Sequence, residues 1–215
     1  MQTEEITRRI HEVVRAGGDV KGEAEKLIVW ATEYAAESSA SARARLDRVV
    51  GDIVNSAATA VDGFTPDEAT STLRQVIDGV GEGLGRTAQA TSLAVEEAAS
   101  NGRAYAEHDL KGVAEDLSAI ASMFGETVER GVSGLMNQGV EQASALREHA
   151  ERTIGGVKPA IEGALRAAAG DPAGLAGEAA KAATDATREA AGALFSAMGR
   201  LLSDAGDRVK PERRE

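Results

Sequence analysis

Residues 66–99 read PDEATSTLRQVIDGVGEGLGRTAQATSLAVEEAA, and their apolar residues advance in steps of 4, 4 and 3. Ala69, Leu73 and Ile77 are followed by Val80, Leu84 and Ala88, then by Thr91, Val95 and Ala99. Steps of three and four place successive residues on one face of an α-helix. The 11-residue period corresponds to 3.67 residues per turn, so the stripe runs straight or slightly right-handed along the helix.

The same count continues far beyond this stretch. It passes through Leu110, Val113, Leu117, Phe124, Val128, Leu135, Leu146, Ile154, Ile161 and Leu165, and then through Leu194, Met198 and Leu201 to Val209. None of the stripe positions is Asp, Glu, Lys or Arg. With 27% of the chain charged, roughly ten charges would fall on these roughly forty positions by chance. The expected fold is all-α: long amphipathic helices with a hendecad period, folded as helical hairpins, a bundle or a right-handed coiled coil. The residues expected to meet a helix partner or a hydrophobic surface are Leu73, Ile77, Val80, Leu84, Val95 and the larger apolar residues just named.

Punctuation divides the stripe. Thr3–Arg15 reads as a short helix with Ile6, Ile10 and Val13 on one face, ended by Gly17-Gly18. Asp19 caps a long second helix over 20–62, whose Ser/Ala-rich middle, Glu37 to Ala44, offers little to bury. At Gly63-Phe64-Thr65-Pro66-Asp67-Glu68 the glycine suits a left-handed C-terminal position. Thr65 caps there, Pro66 takes the first helical position and Glu68 completes a capping box. The stripe changes phase at this point, which predicts a hairpin and closes an N-terminal segment, 1–64.

A long helical segment follows over 65–156. Unbroken it would exceed 100 Å at about 1.5 Å per residue, so a compact protein folds back near 100–109. Gly155-Gly156-Val157-Lys158-Pro159 and Gly170-Asp171-Pro172 then mark a C-terminal part, 157–207, with helices over 158–169 and 172–206 and a charged tail over 208–215. The apolar phase survives both prolines, as a kinked helix on one surface would preserve it. One extended domain accommodates all of these segments.

Composition narrows the function. Net charge is −11 and no basic block exists beyond Arg213-Arg214, which excludes the concentrated cationic face that phosphate binding needs. Cysteine is absent, and with it thiolate metal sites and Cys nucleophiles. The start lacks a basic and then apolar leader, and no run of 18 apolar residues occurs, so a cytoplasmic protein without transmembrane insertion is expected.

No catalytic constellation emerges. Asp78-Gly79-Val80-Gly81-Glu82-Gly83-Leu84-Gly85 lacks the dinucleotide glycine spacing, and close helix approach accounts for it better. His11-Glu12 has Arg15 where a zinc-protease helix requires its second histidine. His108 and His149 lack the glutamate three residues earlier that di-iron bundles use, and both are expected on a solvated surface. Gly131-Val132-Ser133-Gly134-Leu135 misses the nucleophile elbow at its last position. The expectation is no enzyme, no metal and no cofactor. Glycines inside the helical register cost about 1 kcal/mol each against Ala, so these helices need something to pack on.

Three families share the pattern. Thr87–Thr91 and Glu178–Ala190 look like the 11-mers of group 3 late-embryogenesis-abundant proteins, with more Val, Leu and Ile on the stripe. In size, acidity, lack of Cys and Ala/Thr/Ser-rich amphipathic helices the chain resembles phasins, bacterial proteins that coat polyhydroxyalkanoate granules and oligomerise. Apolipoprotein- and perilipin-like helices share the period. The resemblance implies a homo-oligomer at a neutral hydrophobic surface such as a polyester granule or lipid body. The alternatives are a coiled-coil assembly protein and a conditionally folded protective protein.

Overall fold

A computed structural model describes residues 3–36, 42–100, 105–133 and 140–168, with side chains over 3–31, 46–93, 115–133 and 142–167. The protein is all-α. Among the described residues six helices run in order, α1 (Thr3–Arg15), α2 (Val20–Ala36), α3 (Ala42–Ala60), α4 (Pro66–Ser100), α5 (Tyr105–Val132) and α6 (Val140–Ala168). No strand occurs among the described residues.

Local chemistry sets the ends. Glu4 and Glu5 lie in the first turn of α1 and Arg15 in its last, each complementing the helix dipole. Gly17 adopts φ +62°. The Gly18 N–H then reaches the Val13 carbonyl at 2.9 Å and the Gly17 N–H reaches Val14 at 3.2 Å, a Schellman closure. The Asp19 carboxylate accepts the Gly22 N–H at 2.8 Å and so caps α2. Gly63, at φ +84°, turns the chain between α3 and α4. The capping box expected there is present: the Thr65 N–H donates to Glu68 Oε2 at 3.1 Å, and the Glu68 N–H to Thr65 Oγ1 at 3.4 Å.

Contacts between helices fix their directions. Thr3 bonds Asp52 and Ser56 bonds Thr7, so α1 and α3 advance together. Gly79 lies on Lys21 and Gly83 on Glu25 and Ile28, which makes α2 and α4 parallel. Gly81 on Thr153 and Gly85 on Val157 do the same for α4 and α6. Gly125 meets Glu151 while Glu129 meets Arg147, so α5 and α6 run in opposite directions. The odd helices α1, α3 and α5 form one layer and the even helices α2, α4 and α6 a second. Three helix pairs therefore lie side by side, the arrangement by which helix pairs stack into an extended core.

Three expected boundaries are corrected. Val20–Asp62 is not one helix: α2 and α3 are separate elements that pack against each other, and 37–41 lie outside the described residues. A single helix would have held its apolar face out to solvent. With α3 packed on its neighbours, Leu46, Val49, Val50, Ile53 and Val54 are buried. The 65–156 segment contains a further break, between Val132 and Val140, without which α6 could not return alongside α4. The expected boundary at 156–158 does not exist. α6 runs through Gly155, Gly156 and Pro159, because Pro159 and the Gly155 carbonyl it leaves without a donor both lie on the exposed face. In α1, Val14 rather than Val13 completes the buried face. The helix expected over 172–206, the tail over 208–215 and the break at Pro172 lie outside the described residues.

Candidate functional site: the stripe and glycine seams of α4

Helix α4 lies between α2 and α6 in its own layer and against α3 and α5 in the other. A residue four positions on returns to nearly the same face, and one two positions on lies about opposite. The sequence Gly79-Val80-Gly81-Glu82-Gly83-Leu84-Gly85 uses both relations. Gly79 and Gly83 face α2, where an added Cβ would stand 2.2 Å from the Lys21 carbonyl oxygen and 2.7 Å from Ile28 Cβ. Gly81 and Gly85 face α6, where a Cβ would stand 2.3 Å from Thr153 Cγ2 and 3.0 Å from Val157 Cγ1. Val80 and Leu84 point between these seams into the core, both at 0% exposure. These glycine N–H groups belong to a helix interior, so the stretch cannot cradle a phosphate as a loop would.

The outward face of α4 is polar. Asp78, Glu82 and Arg86 follow at four-residue intervals and reach sideways over the glycine seams. Lys21 pairs with Glu82 at 2.5 Å and Glu25 with Arg86, both across the α2 seam. Across the α6 seam, Asp78 Oδ1 lies 2.9 Å from His149 Nε2 and accepts the Thr153 hydroxyl at 3.2 Å. Each seam is thus a glycine-backed contact roofed by polar bonds. Glu25 is 9% exposed. Its burial pushes the carboxyl above the ordinary carboxylate range, against the opposing pull of Arg86. The Lys21 ammonium is raised by its bond to Glu82.

The stripe residues converge on the core. Leu73, Ile77, Val80, Leu84, Leu117, Phe124, Val128, Leu146 and Ile161 are buried within one cluster, and Ile154 and Leu165 are partly buried against it. The side chains of Val95, Leu110, Val113 and Leu135 lie outside the described residues, as do Leu194, Met198 and Leu201. Phe64 is partly buried beneath Arg15, whose guanidinium carbon stands 5.8 Å from the ring centroid.

Of the two histidines expected on a solvated surface, only His149 has a described side chain, and it departs from that expectation. His149 is tied to Asp78 across a helix seam, and His108 lies outside the described side chains. His11 has its Nε2 buried with no hydrogen-bond partner. No group of three His, Cys, Asp or Glu suited to a metal occurs among the described residues. Ser133 donates to the Arg130 carbonyl at 2.7 Å, closing the end of α5 rather than standing on an elbow. Between α1 and α2, a surface cleft of about 390 Å³ is lined by Glu5, Arg8, Arg9, Glu12, Val13 and Glu23. Its charges pair among themselves, Arg8 with Glu5 and Glu12 and Arg9 with Glu23.

Sequence reasoning missed the polar bonds over the seams, because no periodicity links Asp78 to His149. Close helix approach was legible in the glycines, but their use on two sides, carried by two interleaved pairs at four-residue spacing, was not.

These features define an all-α protein of stacked helix pairs, organised around a glycine-seamed central helix. The chain belongs to the Family of unknown function (DUF6781), whose model matches residues 1–158. No curated protein and no solved structure matches it. No helix among the described residues is long and apolar enough to cross a membrane.

Proposed function

We propose that this protein is a non-enzymatic helical coat for a neutral hydrophobic surface, such as a polyester storage granule or a lipid body in the cytoplasm. In solution its helix pairs shelter the charge-free stripe, in the protein itself and in homo-oligomers. On an apolar surface the pairs separate, lay the stripe down and turn their charged faces outward.

The observation that supports this reading is the make-up of the seams. At ~25 cal/mol per Å² of apolar area, contacts in which Gly79, Gly81, Gly83 and Gly85 meet Ala24, Thr153, Ile28 and Val157 contribute less than contacts between large side chains. Their separation is correspondingly cheap. The stripe that would adsorb is continuous along α4 and needs no rearrangement within the helix.

The chain contains no cysteine, so an introduced disulfide is the only one present. A Cβ on Gly85 would lie 3.5 Å from Val157 Cβ, within disulfide range. Protein carrying Gly85→Cys with Val157→Cys is floated with triolein droplets and sedimented with polyhydroxybutyrate particles. The reduced form is expected to bind like wild type, and the oxidised form several-fold less until reductant is added. Equal binding by both forms, or none by wild type, refutes the coat. A stable oligomer that ignores both surfaces points to the assembly reading instead.

A further inference from the structure

Helix α6 consists of two unlike halves. Before Gly155 it is tied to its neighbours by polar bonds. Arg147 reaches Glu129 on α5 at 2.9 Å, and His149 and Thr153 hold Asp78 on α4. Beyond Gly156, the described contacts with other helices are apolar, Val157 on Gly85 and the buried Ile161, Ala164 and Ala167. The polar contacts described there stay within α6, Lys158 with Glu162 at 3.7 Å and Arg166 with the Glu162 carbonyl at 3.3 Å.

The joint between the halves is built to yield. A Cβ on Gly155 or Gly156 would meet nothing within 4 Å, so close packing does not require glycine there. Neither residue has a positive φ, so backbone conformation does not require it either. What glycine supplies at both positions is a weakly held helix. Pro159 weakens the same turn, since it gives the Gly155 carbonyl no N–H and crowds the residue before it. The family's match ends at residue 158, at this joint and independently of the geometry.

We infer that residues 157–168 form a hinged strap, which swings away from α4 and α5 about Gly155–Pro159 while the first half of α6 stays docked. On an apolar surface the strap is the segment that makes first contact, through Val157, Ile161, Ala164 and Leu165. This role rests on the coat reading. The hinge itself does not.

Hydrogen exchange of the full chain tests the hinge in solution. Amides of residues 160–167 are expected to exchange roughly tenfold faster than those of 146–153, with a step at the joint. The double variant Gly155→Ala with Gly156→Ala fills open space and favours helix. It should slow the distal amides about tenfold, to the level of the proximal ones, since about fivefold per glycine more than closes the difference, and leave the proximal ones unchanged. Pro159→Ala should slow the distal amides as well. Uniform protection along α6, a smooth gradient toward 168 without a step, or equal slowing of both halves overturns the hinge.

Adsorption to triolein droplets tests the strap's role. The double-alanine protein should bind several-fold more slowly than wild type. An unchanged rate overturns first contact by the strap, even where the exchange step is found. Failure of wild type to bind overturns the coat reading and the strap's part in it, and the exchange result then stands on its own as a property of α6.

Discussion

Glycine-to-alanine substitution should have opposite effects at two places in this protein. In a helix interior the change is worth about 1 kcal/mol in favour of alanine. At Gly156 the added methyl meets open space, so the full gain is expected. At Gly79 it would stand 2.2 Å from the Lys21 carbonyl oxygen and 2.9 Å from Ala24 Cβ. The first of these is backbone and cannot rotate away, so α2 and α4 must separate. Overpacking of this kind costs about 1–3 kcal/mol, and a clash with backbone belongs at the upper end. Subtracting the helix gain leaves a net loss of about 2 kcal/mol for Gly79→Ala. For a chain of this size 1 kcal/mol moves Tm by about 2–4 °C. Gly79→Ala should therefore melt about 4–8 °C lower, and Gly156→Ala about 2–4 °C higher, by circular dichroism at 222 nm with urea titration in parallel. If Gly79→Ala stabilises as much as Gly156→Ala, helix propensity alone governs both sites and the α2–α4 seam is wrong.

The α6 seam permits a double-mutant cycle. Gly81→Ala clashes with Thr153 Cγ2 at 2.3 Å, while Thr153 Cβ would stand at 3.7 Å. Thr153→Ser removes only the offending methyl and keeps the hydroxyl for Asp78, so the pair should be coupled by about 1 kcal/mol or more, as direct contacts are. Additive losses would separate the two helices. Asp78→Ala removes the acceptor shared by His149 and Thr153 and should cost about 1 kcal/mol in urea denaturation; no change would mean that the polar roof adds nothing to the seam.

Glu25 gives a pH dependence of defined sign. Its carboxyl is raised in the folded state by burial, so its contribution to stability is fully present below the unfolded value and is lost as pH rises through the folded one. Glu25→Gln should then be more stable than wild type at pH 7, with the difference closing as pH falls toward the carboxylate range. A difference that grows on acidification refutes the assignment. Thr65→Ala should cost about 1 kcal/mol through loss of the α4 cap, measured by the same melts.

The stripe carried the helical class and the identity of the core because periodicity is a property of each helix by itself. Leu73, Ile77, Val80 and Leu84 sit inside as their spacing requires, and Thr65 and Glu68 cap α4 through bonds that span only three residues. The breaks between α2 and α3 and between α5 and α6 were not legible in the same way. A helix and two antiparallel helices can carry the same 4-4-3 pattern, and what separates them is whether an apolar face finds a partner. Leu46 to Val54 find theirs only because α3 packs against α1, α2 and α5. Pro159 fails as a boundary for the complementary reason: its missing N–H falls on an exposed face of α6, where nothing has to be buried unsatisfied. The glycines join the two scales. Each is a cost within its own helix, so their placement on α4 makes sense only through the neighbours that the four-residue spacing admits on either side. By the same reasoning Gly51, Gly155 and Gly156, which admit no neighbour, carry a cost that remains uncompensated in the closed fold, and α6, where two of them adjoin Pro159, is where that fold should first give way.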